Sequence, residues 1–275
     1  MTERQQPAGP MMGLRTVLPL NLRVMLSLVL LAISVVAPVS ARETIHVAVA
    51  SSLRGPLEEI RTQFEQRHPE YRVTVAYVAS GKLVAQVTHG APYQLLVSAE
   101  PRYLEILYAR DLTLAAPLPI GYGELVLWHP DQAGTIEQII EQADFVALAQ
   151  PKHAPYGQAA LAYLQRHFAH ESYADKLVYG DNVAQAAHRV HVGAADVGFV
   201  ALAQVLELGL PSSAYSRLPT AAKLPQAIAL THQAKQNSGA QLLYDFMLAS
   251  ESQQIFATFG YQSTAAQEFA HVASD

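Results

Sequence analysis

The sequence predicts an α/β protein built from two lobes, and three observations lead to this fold class. Short apolar segments that alternate like strands repeatedly run into helical patterns through brief polar turns. Strand–helix–strand order with short links is typical of parallel strands. A Pro- and Ala-rich connection, Ala115–Pro119, then marks a change in composition, after which the same plan begins again. A chain that leaves the first lobe and later returns to it leaves a cleft between the two.

The N-terminal residues 1–41 have the order of a secretory signal peptide. Arg15 and Arg23 precede the uncharged run Val24–Val39, and small residues follow up to Ala41. The competing interpretation is a membrane anchor, but the run is short for the roughly 20 residues that a spanning helix needs. We therefore predict cleavage after Ala41 and export.

The composition of the chain indicates in which compartment the protein works and which partners it can bind. The chain has no cysteine, so we expect neither a disulfide nor a lipid-carrying cysteine, and an exported protein that is free in the periplasm. The formal net charge is −5 and no basic run occurs, which makes nucleic acid an unsuitable partner.

In the first part of the mature chain, two serines each end a strand and start a helix. The patterns predict, in order, the strand Thr44–Ala50, a helix to about Arg67, the strand Arg72–Tyr77, a helix from Ser80, the strand Gln94–Ser98 and the helix Pro101–Arg110. Ser52 follows the first strand and Ser80 the second. We expect Ser80 to be the N-cap of its helix, with the hydroxyl accepting a backbone N–H of the first turn.

The second part of the mature chain repeats the alternation of strands and helices, and its last elements return to the first lobe. The predicted elements are a link Gly121–Gly123, the strand Glu124–Trp128, a helix around Ile139, the strand Phe145–Leu148, a loop Pro151–Gly157 with its helix, the strand Leu177–Tyr179, the helix Val183–His191, the strand Asp196–Val200 and the helix Ala201–Leu208. The return consists of the strand Lys223–Leu230, the helices Ser238–Leu248 and Glu251–Phe259, and a polar tail beyond Gln262.

These elements divide into a leader and two lobes. We predict the signal peptide over 1–41, the first lobe over 42–120 and 226–275, and the second lobe over 121–225. Ligands of such sheets lie beyond the carboxyl ends of the strands. Helix starts carry unpaired N–H groups and a partial positive charge, so several of them meeting in the cleft could hold an anion without a charged side chain.

Six fragments stand at these junctions, namely AVASSL (48–53), VASGKLVAQV (78–87), GAPYQLLVSA (90–99), PKHAPYG (151–157), GDNVAQA (180–186) and VGFVALAQV (197–205), and FGYQ (259–262) closes the chain. Their order and spacing resemble the molybdate-binding proteins of ABC importers. The resemblance extends from about Thr44 to Tyr261. The resemblance implies a type II-like periplasmic binding protein fold, with two α/β lobes, a hinge and a cleft between the lobes.

The resemblance also implies the ligand and the residues that hold it. A tetrahedral molybdate or tungstate ion would be bound by hydroxyl and N–H groups of Ser52 and Ser80 and by the backbone N–H groups of Tyr156 and Val183. Ser51 and Asn182 are second-rank candidates. No cofactor is implied beyond the oxyanion itself. Donor groups alone suit a fully ionised oxyanion, and no carboxylate lies inside the motifs of Ser52, Ser80 or Tyr156.

Some members of the family add a tyrosine hydroxyl at the position that Ala201 occupies here, so this chain lacks that contact and Tyr156 is the candidate to replace it. The implied function is capture of molybdate or tungstate in the periplasm and delivery to the membrane permease of an ABC importer. We expect a monomer and no enzymatic activity, since the chain has no Gly-x-Ser-x-Gly elbow and no phosphate-loop pattern.

Two alternatives stay open. The receptor could take another oxyanion such as sulfate, or the pairs His167/His170 and His188/His191 could bind a divalent metal, because imidazoles three residues apart on a helix can share one ion. Solvated surface histidines are the preferred interpretation of both pairs. The charged neighbours of the ligand motifs are not expected to contact the anion. Arg54, Lys82 and His153 should face the solvent, and Asp181 should cap its helix.

Overall fold

The computed structural model describes residues 42–130, 132–219 and 221–264, and these form two five-stranded sheets. The ten strands are β1 Glu43–Ala50, β2 Tyr71–Val78, β3 Leu95–Ser98, β4 Leu118–Gly123, β5 Leu125–Trp128, β6 Val146–Ala149, β7 Leu177–Gly180, β8 Val197–Ala201, β9 Tyr215–Arg217 and β10 Leu224–Leu230. The first sheet has the order β2-β1-β3-β10-β4 and the second has the order β7-β6-β8-β5-β9.

Both sheets are built on the same plan. In the first, β1 runs parallel to β2 and β3, while β10 is antiparallel to β3 and β4. In the second, β6 runs parallel to β7 and β8, while β5 is antiparallel to β8 and β9. Each parallel pair needs a crossover, and helices supply it. The predicted α/β class with parallel central strands is confirmed.

Nine α-helices of the described residues pack against these sheets. They are α1 Arg54–Arg67, α2 Ser80–Thr88, α3 Pro101–Ala109, α4 Ile136–Gln142, α5 Pro155–His167, α6 Val183–His191, α7 Leu202–Glu207, α8 Ser238–Leu248 and α9 Ser250–Thr258. We call the first sheet with α1–α3, α8 and α9 lobe 1, and the second sheet with α4–α7 lobe 2. The helix Val183–His191 has the bounds that the sequence predicts, whereas Ser51–Leu53 forms a 3₁₀ turn before α1.

The chain crosses between the sheets through a single residue. Strand β4 ends at Gly123 and β5 begins at Leu125, so only Glu124 separates a strand of lobe 1 from a strand of lobe 2. The Glu124 carboxylate forms an ion pair with Arg217, the last residue of β9. Since the second crossing follows β9, this pair ties the two crossings together at their lobe 2 ends.

The residues Gly121–Gly123, for which the sequence predicted no strand, belong to strand β4. They pair with β10, which lies about a hundred positions later in the chain, and the Tyr122 N–H also donates to the Gln262 carbonyl at 2.8 Å. A glycine-rich segment with two such partners is held extended. The predicted lobe boundaries, 42–120 with 226–275 and 121–225, stay a prediction.

The interior is apolar and continuous between the lobes. Ile45, Val47 and Val49 of β1 are fully buried, as their alternation predicts. One cluster of buried hydrophobic side chains includes residues of both sheets, among them Ile120 and Leu125 on either side of the crossing. The core therefore fixes the strand ends from which the polar turns project.

No helix among the described residues is long and apolar enough to cross a membrane. The predicted signal peptide lies outside the described residues, as do residues 265–275 of the predicted polar tail.

Replacing Phe64 by alanine should destabilise the protein by about 3–5 kcal/mol, because its ring is fully buried and packs edge-on against Phe246 with ring centroids 5.7 Å apart. The exposed Phe145 is the matched control, and Phe145→Ala should change the free energy of unfolding by less than about 0.5 kcal/mol. Urea unfolding of both variants measures this. Equal destabilisation by the two changes would contradict the assignment of the core.

Candidate functional site

A small cavity lies where strands β1 and β2 of lobe 1 and strands β6 and β7 of lobe 2 end. Its empty volume is about 190 Å³, including its open side. All six residues that the sequence singles out line it, namely Ser51, Ser52, Ser80, Tyr156, Asn182 and Val183, and the other lining residues are Ala50, Val78, Ala79, Ala99, Ala154 and Pro155. The structure thus brings the predicted residues together at the carboxyl ends of the strands, where α/β sheets bind ligands.

Ser51 and Ser52 reach the cavity because β1 ends in a tight 3₁₀ turn. The Ser52 hydroxyl is fully buried and makes no hydrogen bond with the described residues. A buried hydroxyl that makes no such bond has a proton free to donate to a ligand in the cavity. The Ser51 hydroxyl accepts a hydrogen bond from the Ala184 N–H of lobe 2 at 3.4 Å, which places Ser51 at the contact between the lobes.

Ser80 is not the N-cap of its helix, which corrects the sequence prediction. Ala79 is the N-cap and has no side-chain hydrogen bond, while Ser80 is the first helical residue. The fully buried Ser80 hydroxyl instead accepts the Ala99 N–H at 3.1 Å, because β3 ends beside this turn. An oxygen that accepts from Ala99 still has its own proton, so Ser80 can donate into the cavity.

Lobe 2 contributes the start of α6. Asn182 is the N-cap of this helix, and its side-chain oxygen accepts the Gln185 N–H at 3.1 Å. Val183 is the first helical residue and is buried. The N–H groups of the first turn have no partner within the helix, so the side of the cavity formed by lobe 2 presents backbone donors.

Tyr156 lies in the first turn of α5, after Pro155, and is buried between the lobes. Its hydroxyl lies beside the hydroxyls of Ser52 and Tyr261 but makes no hydrogen bond of normal geometry. Burial raises the pKa of Tyr156 above its ordinary value, so the phenol stays protonated and brings no negative charge to the cavity. The Tyr156 hydroxyl also lies next to Gly123, and a Cβ added to residue 123 would be 2.2 Å from the phenol oxygen.

The electrostatics of the cavity come from backbone and hydroxyl dipoles. The N-termini of α2, α5 and α6 all line it, and none of its lining residues carries a charge. Helix N-termini bear a partial positive charge and free N–H groups. The arrangement can therefore hold an anion without a counter-charge, and it has no carboxylate to accept a proton from that anion.

Lys82, His153 and Asp181 do not line the cavity and are partly exposed, but they also contact one another, which the sequence did not predict. The Lys82 ammonium lies 2.7 Å from the Asp181 carboxylate, and this hydrogen bond lowers the pKa of Asp181 below its ordinary value. The His153 ring nitrogen Nε2 lies 3.1 Å from the Asp181 carbonyl oxygen. These residues therefore join the lobes next to the cavity without lining it. Their contacts were not predictable because the partners are far apart in the chain, 28 positions for His153 and Asp181 and 99 for Lys82 and Asp181.

A larger opening of about 1020 Å³ adjoins the small cavity and shares Ser51 and Asn182 with it. Arg54 is exposed, as predicted, and borders this opening with its guanidinium 4.2 Å above the Tyr77 ring. Its walls also include charged and imidazole groups, so it differs in character from the small cavity. The Glu207 carboxyl is half-buried there, and this burial raises its pKa despite the nearby Arg54.

The histidine pairs do not form a metal site in the part of the chain that the structure describes. No group of three or more His, Cys, Asp or Glu side chains is arranged there to hold a metal ion. His188 and His191 line the larger opening, and His191 stacks near Trp128. His167 packs against the Tyr163 ring, with ring centroids 4.5 Å apart.

Sequence reasoning missed Tyr261 and Ala99 as parts of the site. The Tyr261 hydroxyl donates to the Ser52 carbonyl at 2.8 Å and so holds the turn that carries Ser52. The only available signal was the FGYQ segment at 259–262, which does not reveal a contact with residue 52. Ala201 is fully buried and is not among the residues that line the small cavity.

Comparison with known proteins gives consistent results. Residues 45–262 match the family model described as bacterial extracellular solute-binding protein. The chain is 31% identical to the molybdate-binding protein ModA of Rhodobacter capsulatus, over 90% of this chain and 98% of that protein. It is 30% identical to ModA of Azotobacter vinelandii, over 79% and 89% of the two chains. A solved periplasmic molybdate-binding protein of Azotobacter vinelandii superposes with a TM-score of 0.74 at 26% identity, covering 80% of this chain and 99% of that one.

Adding a methyl group at position 123 should destabilise the protein through Tyr156. Gly123→Ala should cost about 1–3 kcal/mol, because the new Cβ would lie 2.2 Å from the Tyr156 hydroxyl oxygen. Tyr156→Phe alone should be nearly neutral, since it removes a buried hydroxyl without a hydrogen-bond partner. In the double variant the loss should be smaller than in Gly123→Ala, as measured by thermal unfolding.

The exposed Tyr179 provides the control for this pair, and Tyr179→Phe should not rescue Gly123→Ala. Additive effects of Gly123→Ala and Tyr156→Phe would show that the two residues do not touch.

Proposed function

The chain belongs to the bacterial extracellular solute-binding proteins, and from this premise we propose that it captures molybdate or tungstate and delivers the ion to an ABC importer. The family resemblance drawn from the sequence motifs and the predicted two-lobed α/β fold are both confirmed by the family match and the solved relative. Proteins of this family bind a solute and release it to a transporter, so the cavity serves capture and not catalysis.

The observation that carries the proposal is the uncharged, donor-lined cavity with the buried Ser52 hydroxyl left without a partner. Ser52, Ser80 and the helix starts at Tyr156 and Val183 are the proposed ligand groups. Hydrogen bonds to an ionised acceptor contribute roughly 1.5–3 kcal/mol each, so several of them around one ion give tight binding. Because no carboxylate lines the cavity, an anion that keeps a proton would leave that proton unpaired.

Size supports a small tetrahedral ion. The small cavity measures only about 190 Å³ even with its open side included, so it suits a ligand of few atoms. This suits an ion with four oxygens around one centre. Sulfate has the same shape and charge, and discrimination against it therefore depends on the fit of the closed cavity.

The compartment and the partners follow from the same proposal. Residues 1–41 would be removed as a signal peptide, and the chain has no cysteine on which a lipid could be placed, so the mature protein would diffuse freely in the periplasm. The membrane permease of an ABC importer would be its protein partner. We propose that it acts as a monomer, without a cofactor, without nucleic acid and without turnover of a substrate.

Calorimetric titration of the mature protein with molybdate, tungstate and sulfate tests the function. Ser52→Ala and Ser80→Ala should each weaken molybdate or tungstate binding by about tenfold to a hundredfold, since each removes one hydrogen bond to a charged ligand. The exposed Ser213 serves as the matched control, and Ser213→Ala should leave the affinity unchanged.

His167→Ala and His188→Ala should also have little effect on oxyanion binding. If the wild-type protein binds sulfate or Zn²⁺ but neither molybdate nor tungstate, the proposed function is wrong. Loss of Zn²⁺ binding in the two histidine variants would then support a metal receptor.

A further inference from the structure

Three turns that line the small cavity are joined to one another by contacts outside it. Gly81 and Lys82 belong to the start of α2 in lobe 1, His153 precedes α5 in lobe 2, and Asp181 precedes α6 in lobe 2. None of these four residues lines the cavity, although each is next to or near one that does. They connect the turn that carries Ser80 to the two turns that carry the lobe 2 donors.

The first contact joins the backbones of the two lobes. The Gly81 N–H donates to the His153 carbonyl oxygen at 2.9 Å. The approach is so close that a Cβ on residue 81 would lie 2.7 Å from the His153 Cβ and 3.0 Å from its Cα. Only a glycine at position 81 fits this arrangement, and its backbone conformation is otherwise one that any residue can adopt.

The other contacts extend the connection to the third turn. The His153 imidazole contacts the Asp181 carbonyl oxygen at 3.1 Å, and the Lys82 ammonium lies 2.7 Å from the Asp181 carboxylate. Lys82 and Asp181 are partly exposed, with 41% and 61% of their side chains accessible. An exposed ion pair is weak alone. Here the Lys82–Asp181 pair completes a set of contacts among three turns, so the pair can form only when the two lobes are close together.

We propose that Gly81, Lys82, His153 and Asp181 form an interlobe clasp that holds the lobes closed around the oxyanion and sets its release rate. The inference rests on the proposed oxyanion binding. The Gly81–His153 and Lys82–Asp181 contacts join lobe 1 to lobe 2, so they are made when the lobes are closed and lost when they separate. Contacts made in one state alone shift the population toward that state, and the ligand that needs it binds more tightly.

Gly81→Ala is the sharpest test, because alanine is favourable in a helix and the change touches no ligand group. We expect the variant to bind molybdate at least about tenfold more weakly, since the methyl group keeps the lobes apart. The melting temperature of the ligand-free protein should not fall. A structural defect of α2 would instead lower that temperature together with the affinity.

A second change on the opposite lobe can partly restore closure. His153→Gly removes the Cβ at 2.7 Å but not the Cα at 3.0 Å, so Gly81→Ala should weaken molybdate binding less, though still measurably, in the His153→Gly background than in the wild type. If Gly81→Ala lowers the molybdate affinity equally in both backgrounds, residues 81 and 153 do not meet as described. If Gly81→Ala leaves the affinity unchanged, the proposed clasp is wrong.

The ion pair is tested by a separate double-mutant cycle. Lys82→Ala and Asp181→Ala should each weaken molybdate binding about twofold to fivefold. The double variant should bind molybdate no more weakly than the single variant with the lower affinity. Lys152→Ala removes the same charge from an exposed position beside His153 and should leave the affinity unchanged. If Lys152→Ala weakens binding as much as Lys82→Ala does, and Asp181→Ala strengthens it, the effect is general electrostatics and the clasp is wrong.

The outcomes separate the two proposals. If the wild-type protein binds neither molybdate nor tungstate, the proposed function fails. If the wild type binds but the Gly81 and Lys82–Asp181 variants release the ion as slowly as it does, the function stands and the clasp fails.

Discussion

The proposed function places one physical constraint on the structure, which is that a buried anion must be solvated by the protein when no counter-charge is present. Dipoles replace charge only if they are fixed in direction before the ion arrives. The starts of α2, α5 and α6 provide this, because each follows a strand end that the core holds in place. Small residues such as Ala50, Ala79 and Ala99 let the turns approach one another closely. The apolar sheets and the polar cavity are therefore parts of one arrangement.

Absence of side chains is as important for the cavity as the hydroxyl groups are. Gly81 and Gly123 lie where a single added carbon would meet the opposite lobe, at His153 and at the Tyr156 hydroxyl. Interiors tolerate such overlap poorly, and the strain is relieved by moving one rigid lobe away from the other. Two glycines thus define how far the lobes approach and, with that, the size of the space left for an ion.

The sequence was sufficient for most of the elements and for the residues around the cavity, and insufficient for contacts between distant turns. Period and turn chemistry predict α6 to the residue, and Ser51, Ser52, Ser80 and Val183 line one cavity as expected. The N-cap role of Ser80 was wrong because Ala99, nineteen positions later, offers an N–H that no local pattern reveals. Strand β4 was missed for the same reason, since its partner β10 comes about a hundred positions later. Local propensity describes a turn, whereas its partners are decided by the fold.

The crossing at Glu124 has a mechanical consequence. Strands β4 and β10 pair on one side of it and β5 and β9 on the other, so the two crossings lie side by side, and the Glu124–Arg217 ion pair fastens them together. A paired ribbon bends readily about one axis but resists twist and sliding. Such a connection would limit the directions in which the lobes can separate. Less entropy would then be lost when the lobes close, which leaves more of the hydrogen-bond energy for holding the proposed ligand.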